Sequence, residues 1–243
     1  MIMHADIAPS PQATARRAAE WISKRIEATP DVFRIALSGG ETPRLLYSTL
    51  ASAPYRDRID WRRVDLFWGD ERFVPHSDER SNYRMAREEL LARVPVLIDH
   101  VHPVITEGDP ETAARRYEGL LRAAYGSECL APSLPLFHLV LLGLGTDGHT
   151  ASLLPGSEAL DERQRWVMGV QGHDVPRITL TYPAIACSSA VMFLVTGREK
   201  AEPVARVHAG DPDLPATHIH SEGEIVWFLD EAAASKLPAS VRR

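Results

Sequence analysis

The chain has few cysteines, no long apolar run and no excess of basic residues. Its two cysteines, Cys129 and Cys187, have a spacing typical of neither a metal site nor a disulfide framework, so we expect two inert, buried thiols. No stretch of about 18 consecutive apolar residues is present, which argues against a membrane span. The formal net charge of −6 argues against a nucleic acid as the main partner, although a local basic pocket for a small anion remains compatible with it.

A targeting signal is also missing from the first residues. The segment MIMHADIAPS has neither the basic nor the apolar part of a signal peptide, so we expect a cytoplasmic location. Of the 243 residues, 44% are hydrophobic and 25% are charged, a composition typical of a soluble globular protein. This length fits one large domain or two small ones; the loop at 127–135 is the one plausible boundary, and we expect a single domain over residues 1–243.

Short apolar runs alternate with segments of helical periodicity along most of the chain. The apolar runs predict strands at 33–37, 64–68, 137–142, 165–170, 177–181, 190–195 and 224–229. The segments between them predict helices at 16–26, 43–51, 81–93, 110–125 and 198–208. Repetition of strand and helix is typical of an α/β fold with a mainly parallel sheet and helices on both faces.

Polar turns that contain glycine follow three of the predicted strands, at 38–43, 69–76 and 143–150. The carboxyl ends of parallel strands meet at one edge of the sheet, where α/β proteins bind their ligands. The sequence therefore predicts one site that is built from three distant segments.

The first turn contains Ser38, Gly39 and Gly40, and Thr42 is expected to cap a helix that begins at Pro43. Backbone N–H groups that are free at a helix N-terminus bind phosphate well. Two interpretations stay open, a phosphate cradle and a tight strand-to-helix turn. The lysine and the spacing of a P-loop are missing.

The second turn carries Asp70, Glu71 and Arg72. Arg72 either forms a surface ion pair, which contributes little, or points into the cleft as a fixed positive charge for a phosphate or an oxyanion. For Glu71 we expect a structural role.

The third turn places Asp147 and His149 in a frame of glycines. A histidine there can take a proton from water, and a neighbouring carboxylate can orient its ring. The alternatives are a solvated loop histidine and an aspartate that only shapes the turn. His218 and His220 lack a third ligand at a suitable spacing, so no metal site is predicted.

Arg177 and Lys200 add positive charge near two further strands. A lysine in the first turn of a helix opposes the helix dipole, so Lys200 is better suited to bind an anion than to stabilise a helix. A solvated lysine is the alternative.

Taken in chain order, these motifs resemble those of the 6-phosphogluconolactonases, in the superfamily shared with glucosamine-6-phosphate isomerases and deaminases. The matching segments are ALSGGETP at 36–43, WGDERFVP at 68–75, SNY at 81–83, LLGLGTDGHTASLLPG at 141–156, RITLTYPAI at 177–185 and VTGREKA at 195–201. The resemblance implies a modified doubly wound, Rossmann-like fold. It also implies hydrolysis of 6-phospho-D-glucono-1,5-lactone to 6-phosphogluconate in the oxidative pentose phosphate pathway.

The resemblance also implies roles for the candidate residues. His149 would be the general base with Asp147 beside it, and Arg72 would line the substrate site. The phosphate-binding elements of the family match Gly39, Gly40, Thr42, Lys200 and Arg177, and Ser38 belongs to the same turn. The implied partner is a small sugar-phosphate lactone, without a cofactor, and a monomer is expected, with weak self-association left open.

The segment after His149 separates this chain from the deaminases. Deaminases place Asn-Glu-Pro there, whereas this chain has no acid before Glu158, and lactonases read HTASLFPG, nearly the sequence at 149–156. Ala186 departs from the lactonase pattern, which usually has asparagine at that place. A sugar-phosphate sensor without catalysis is the remaining alternative, and the presence of His149 argues against it.

Overall fold

The computed structural model describes residues 4–131 and 133–242, so residues 1–3, Pro132 and Arg243 of the predicted domain lie outside it. The strands are β1 (His4–Ala8), β2 (Phe33–Leu37), β3 (Val64–Trp68), β4 (Asp70–Arg72), β5 (Leu139–Leu142), β6 (Val167–Val170), β7 (Arg177–Leu180), β8 (Ala190–Val195) and β9 (Glu224–Asp230). The α-helices are α1 (Pro11–Ala28), α2 (Glu41–Leu50), α3 (Tyr55–Arg58), α4 (Asn82–Glu89), α5 (Pro110–Tyr125), α6 (Tyr182–Ala186) and α7 (Ala201–Ala209).

Six of these strands form a parallel sheet in the order β1-β9-β8-β5-β2-β3. The chain builds outward from β2 to β3 on one side and from β5 to β8 on the other. The strand order therefore reverses between β2 and β5, and a crevice opens there at the carboxyl ends of the strands. The predicted α/β class with a mainly parallel sheet is confirmed.

Burial of the central strands shows that both faces of the large sheet are covered. Every residue of β5 and β8 is buried, although successive side chains point to opposite faces. Such continuous apolar strands occur where a parallel sheet is covered on both sides. None of the described helices has the length and apolar character that crossing a membrane requires.

The other three strands form a small antiparallel sheet in the order β4-β7-β6. The sequence predicted β6 and β7 as strands but interpreted the segment of β4 as part of a turn. Gly69 links the two sheets, because its N–H donates to Leu37 O (2.8 Å) in β2 and its carbonyl accepts from Leu180 N (2.8 Å) in β7. The small sheet thereby lies against the carboxyl edge of the large one.

Several element boundaries differ from the sequence expectations. The edge strand β1 was missed, because five residues beside a helix cap give little periodic signal. The helix predicted at 81–93 ends at Glu89, and a separate short 3₁₀ turn begins at Leu91. Cys187 is buried as expected, but Cys129 is exposed, so the prediction of two buried thiols was wrong for Cys129.

Two buried tyrosines clamp the ends of neighbouring strands. The Tyr47 hydroxyl accepts from Ser38 N (2.9 Å) and donates to Ser38 O (2.7 Å), just beyond β2. The Tyr117 hydroxyl makes the same pair of bonds with Trp68 N (2.7 Å) and O (3.1 Å) at the end of β3. At both strand ends a tyrosine hydroxyl thus supplies the backbone hydrogen bonds that a neighbouring strand would otherwise give.

We expect Tyr47→Phe and Tyr117→Phe each to lower the free energy of unfolding by about 1–3 kcal/mol, because each leaves a buried backbone donor and acceptor unpaired. Tyr55→Phe is the matched control, since its exposed hydroxyl makes a single bond to Arg16 O (3.2 Å). Urea unfolding of the three variants measures the difference. Equal stabilities for all three would contradict the clamp.

Candidate active site

A cleft of about 370 Å³ lies at the crevice between β2 and β5. Eight of the nine predicted site residues line it: Ser38, Gly39, Gly40, Thr42, Arg72, His149, Arg177 and Lys200. The ninth, Asp147, contacts the cleft through His149. The three turns therefore meet at one edge of the large sheet, as the sequence predicted.

The first turn leads directly into α2. Gly40 is the residue before the helix and has φ 102°, a conformation that side-chain-bearing residues rarely adopt. The helix begins at Glu41, so the expectation that Thr42 caps a helix from Pro43 was wrong. The Thr42 hydroxyl instead bonds the hydroxyl of Thr196 (2.9 Å), which joins this turn to the end of β8.

The third turn holds the imidazole of His149 against Asp147. Nδ1 of His149 lies 2.6 Å from Oδ1 of Asp147, and the same oxygen accepts the backbone N–H of His149 (3.1 Å). This contact leaves Nε2 available to the cleft. A hydrogen bond on Nδ1 fixes the ring orientation and the tautomer in which Nε2 can accept a proton.

The charge of Asp147 is stabilised in place. Burial alone would raise the pKa of its carboxyl, but the backbone N–H and the imidazole of His149 outweigh burial and hold that pKa below its usual range. Its second oxygen, Oδ2, lies 3.7 Å from Nε2 of the exposed His173. Asp147 is therefore an ionised acceptor beside the histidine.

Two arginines lie side by side on one face of the small sheet. Arg72 in β4 is directly opposite Arg177 in β7, so both side chains lie on the same face. Arg177 pairs with Asp174 (3.1 Å), and among the described residues the buried Nε atoms of both arginines have no acceptor. Like charges directly opposite are unfavourable, and unpaired buried donors are costly, so this face favours an anion.

A buried carboxylate, Glu71, fixes the strand that carries Arg72. It accepts the backbone N–H groups of Arg72 (2.7 Å), Asn82 (2.8 Å) and Tyr83 (2.7 Å), and the hydroxyl of Ser81 (3.1 Å). Two of these donors belong to the first turn of α4, whose positive end a carboxylate stabilises. Burial nevertheless raises the pKa of Glu71 to about 7.

Lys200 completes the cationic lining. It ends a 3₁₀ turn, Arg198–Lys200, and immediately precedes α7, rather than lying within the first helical turn as expected. Glu199 and Thr196 line the cleft beside it.

Three buried polar residues next to the cleft were not among the predicted site residues. Asp70 and Asn82 line it, and the Ser152 hydroxyl donates to Oδ2 of Asp70 (2.7 Å). The SNY motif, which carries part of the resemblance, was the signal that could have identified Asn82.

Fold and site together define an α/β protein whose switch-point cleft combines a glycine-containing turn at a helix N-terminus, three cationic side chains and an Asp–His pair. The family model described as glucosamine-6-phosphate isomerases/6-phosphogluconolactonase matches residues 9–227. The chain belongs to this family.

Curated relatives and a solved structure are similar over most of the chain. A probable 6-phosphogluconolactonase 2 of Arabidopsis thaliana is 39% identical over an alignment of 218 residues that covers 85% of this chain and 84% of the relative. The 6-phosphogluconolactonase of Streptomyces coelicolor is 38% identical over 253 residues, covering 99% of this chain and 95% of the relative. The structure of 6-phosphogluconolactonase from Trypanosoma cruzi has a TM-score of 0.86 at 32% identity and covers 98% of both chains.

The raised pKa of Glu71 predicts a pH dependence of stability. Between its ordinary value of 4.5 and about 7, the folded chain holds a proton that the unfolded chain releases. This contribution is complete below about pH 4.5 and is lost as the pH rises through about 7. We expect the unfolding free energy of the wild type, minus that of Glu71→Gln, to fall by up to about 3 kcal/mol over this range.

Denaturant unfolding of both proteins at a series of pH values measures this difference. Subtracting the variant removes the titration of all other groups that the two proteins share. A difference that stays constant or rises with pH would contradict the raised pKa.

Proposed function

We propose that the protein hydrolyses 6-phospho-D-glucono-1,5-lactone to 6-phosphogluconate, a step of the oxidative pentose phosphate pathway, with His149 as general base. The curated relatives support the enzyme identity, since those above are named 6-phosphogluconolactonases. The observation that carries the mechanism is the Asp147–His149 contact (2.6 Å) in the same cleft as Arg72, Arg177 and Lys200. We further propose that residues 1–243 act as one domain and as a monomer in the cytoplasm, without a cofactor.

The phosphate end of the substrate docks on the first turn. The N-terminus of α2 and the N–H groups around Gly39 and Gly40 attract an anion, and Lys200 supplies positive charge to the same cleft. Arg177 is the further cation proposed for this end. Binding energy from the phosphate holds the lactone carbonyl next to His149.

Hydrolysis needs one water and one proton shuttle. Nε2 of His149 takes a proton from the water as its oxygen bonds to C1, and Asp147 stabilises the imidazolium that forms. Either Arg72 or the backbone N–H groups of residues 143–148 stabilise the oxyanion on C1. When the oxyanion collapses, the bond between C1 and the ring oxygen breaks, and His149 returns its proton to that oxygen. The open product carries a carboxylic acid, which then ionises.

We expect His149→Ala to lower kcat by about 10²–10⁴-fold, because the water loses its base. The lactone is made in place by glucose-6-phosphate dehydrogenase, and 6-phosphogluconate dehydrogenase reports its hydrolysis above the spontaneous rate. His220→Ala, which removes an exposed imidazole that does not line this cleft, is the control.

The outcomes of this assay separate the activity from its mechanism. If His149→Ala still accelerates hydrolysis as the wild type does, the proposed lactonase activity holds but the role of His149 as general base is wrong. No acceleration by the wild type would overturn the lactonase, and release of ammonia from glucosamine 6-phosphate would then test the deaminase alternative.

We expect Lys200→Ala to raise KM by about 10- to 100-fold with little change in kcat, because a charge-assisted contact to the unreacting phosphate is lost in the ground and transition states alike. Lys236→Ala is the matched control, since Lys236 pairs with Glu202 outside the cleft (2.6 Å). Steady-state kinetics in the same coupled assay give both parameters. Unchanged KM and kcat would remove Lys200 from the site.

A further inference from the structure

Asn82 is a buried amide whose two ends make different contacts. It is the first residue of α4 and is 2% exposed. Its Oδ1 accepts from Nη1 of Arg72 (2.6 Å), and its Nδ2 donates to Asp70 O (2.9 Å). The amide therefore supplies an acceptor to the arginine and a donor to the backbone of the same strand, β4.

Asn82 also fills the space next to the first turn. A Cβ atom placed on Gly39 would overlap Oδ1 of Asn82, so the amide would have to move away from its present partners. Gly39 thus lets the first turn approach the amide. One side chain therefore lies between the turn proposed to bind phosphate and Arg72.

The contacts of Arg72 leave one edge of its guanidinium free. Nη1 donates to Arg80 O (3.0 Å) and to Asn82, whereas Nε is buried and has no acceptor among the described residues. An arginine binds an anion with two parallel donors when such an edge is available. The two acceptors on Nη1 fix the direction in which the remaining donors point.

The neutral amide preserves the charge of Arg72. A carboxylate at position 82 would pair with the guanidinium and lose the donor to Asp70 O, and it would add a third acid beside Asp70 and Glu71. An anion would then compete with an internal counterion. An amide holds the arginine in place without this competition.

We propose that Asn82 is the positioning residue of the site, which orients Arg72 toward the bound anion and keeps its charge uncompensated. The kinetic part of this inference rests on the proposed lactonase function. The role of Asn82 is exerted through Arg72, so removing Arg72 removes the effect of changing Asn82.

A double-mutant cycle tests this coupling. We expect Asn82→Ala to lower kcat/KM about tenfold in the wild type and by less than about twofold in an Arg72→Ala background, since one charge-assisted contact is lost only where Arg72 is present. Gln164→Ala, which removes an exposed amide, is the control. Equal losses in both backgrounds would assign Asn82 a purely structural role and overturn the proposal.

The charge of position 82 is tested by Asn82→Asp and Asn82→Ser. The aspartate should lower kcat/KM more than alanine does, and the serine should restore part of the activity, because its hydroxyl can still accept from Arg72. An aspartate variant as active as the wild type would overturn the need for a neutral acceptor. Circular dichroism and thermal unfolding show which variants are folded. If the alanine variant does not fold, the serine variant still decides the test.

Binding of inorganic phosphate, measured by calorimetry on the same proteins, separates this inference from the proposed function. Suppose that the wild type lacks lactonase activity, but that Asn82→Ala weakens phosphate binding only when Arg72 is present. The proposed function is then wrong and the positioning role holds. If the wild type is active, but Asn82→Ala changes kcat/KM and phosphate binding equally with and without Arg72, only the positioning role is wrong.

Discussion

The hydrogen bonds of one buried carboxylate hold the cleft together. Glu71 accepts from the backbone of its own strand and from the first turn of α4, so it fixes the relative position of Arg72 and Asn82. The carboxylate compensates the positive end of α4, where the N–H groups of Asn82 and Tyr83 would otherwise lack partners. Burial opposes its ionisation, so the site geometry depends on a group whose desolvation is unfavourable and whose hydrogen bonds must offset that cost.

The position of the cleft follows from the order of the strands. The chain leaves β2 and β5 in opposite directions, so their carboxyl ends cannot be covered by the same connection. The small antiparallel sheet occupies one side of this opening and adds Arg72 and Arg177 to the turns of the large sheet. Each half of the site thus has its own backbone scaffold, and Gly69 joins the two with one hydrogen bond to each sheet.

The sequence predicted the class of fold and eight residues of the cleft because strand periodicity and glycine turns are local signals. It did not predict the antiparallel sheet, since β4 has only three residues and its pairing with β7 spans over a hundred positions. The cap of α2 was mistaken because Thr42 has a partner, Thr196, that only the folded chain brings near it. Asn82 was missed as a site residue for the same reason, since its contacts with Arg72 and Gly39 are tertiary.

The opposed arginines have a consequence for how the protein can change over evolutionary time. Two like charges directly opposite each other on neighbouring strands are less favourable for folding than one charge opposite a neutral residue. Substitutions of one arginine that improve folding are therefore readily available, and under the proposed function the same substitutions weaken affinity for the anionic substrate. If the two arginines bind the substrate as proposed, selection for binding opposes selection for stability at these two positions, and the pair is expected to be lost when the activity is no longer needed.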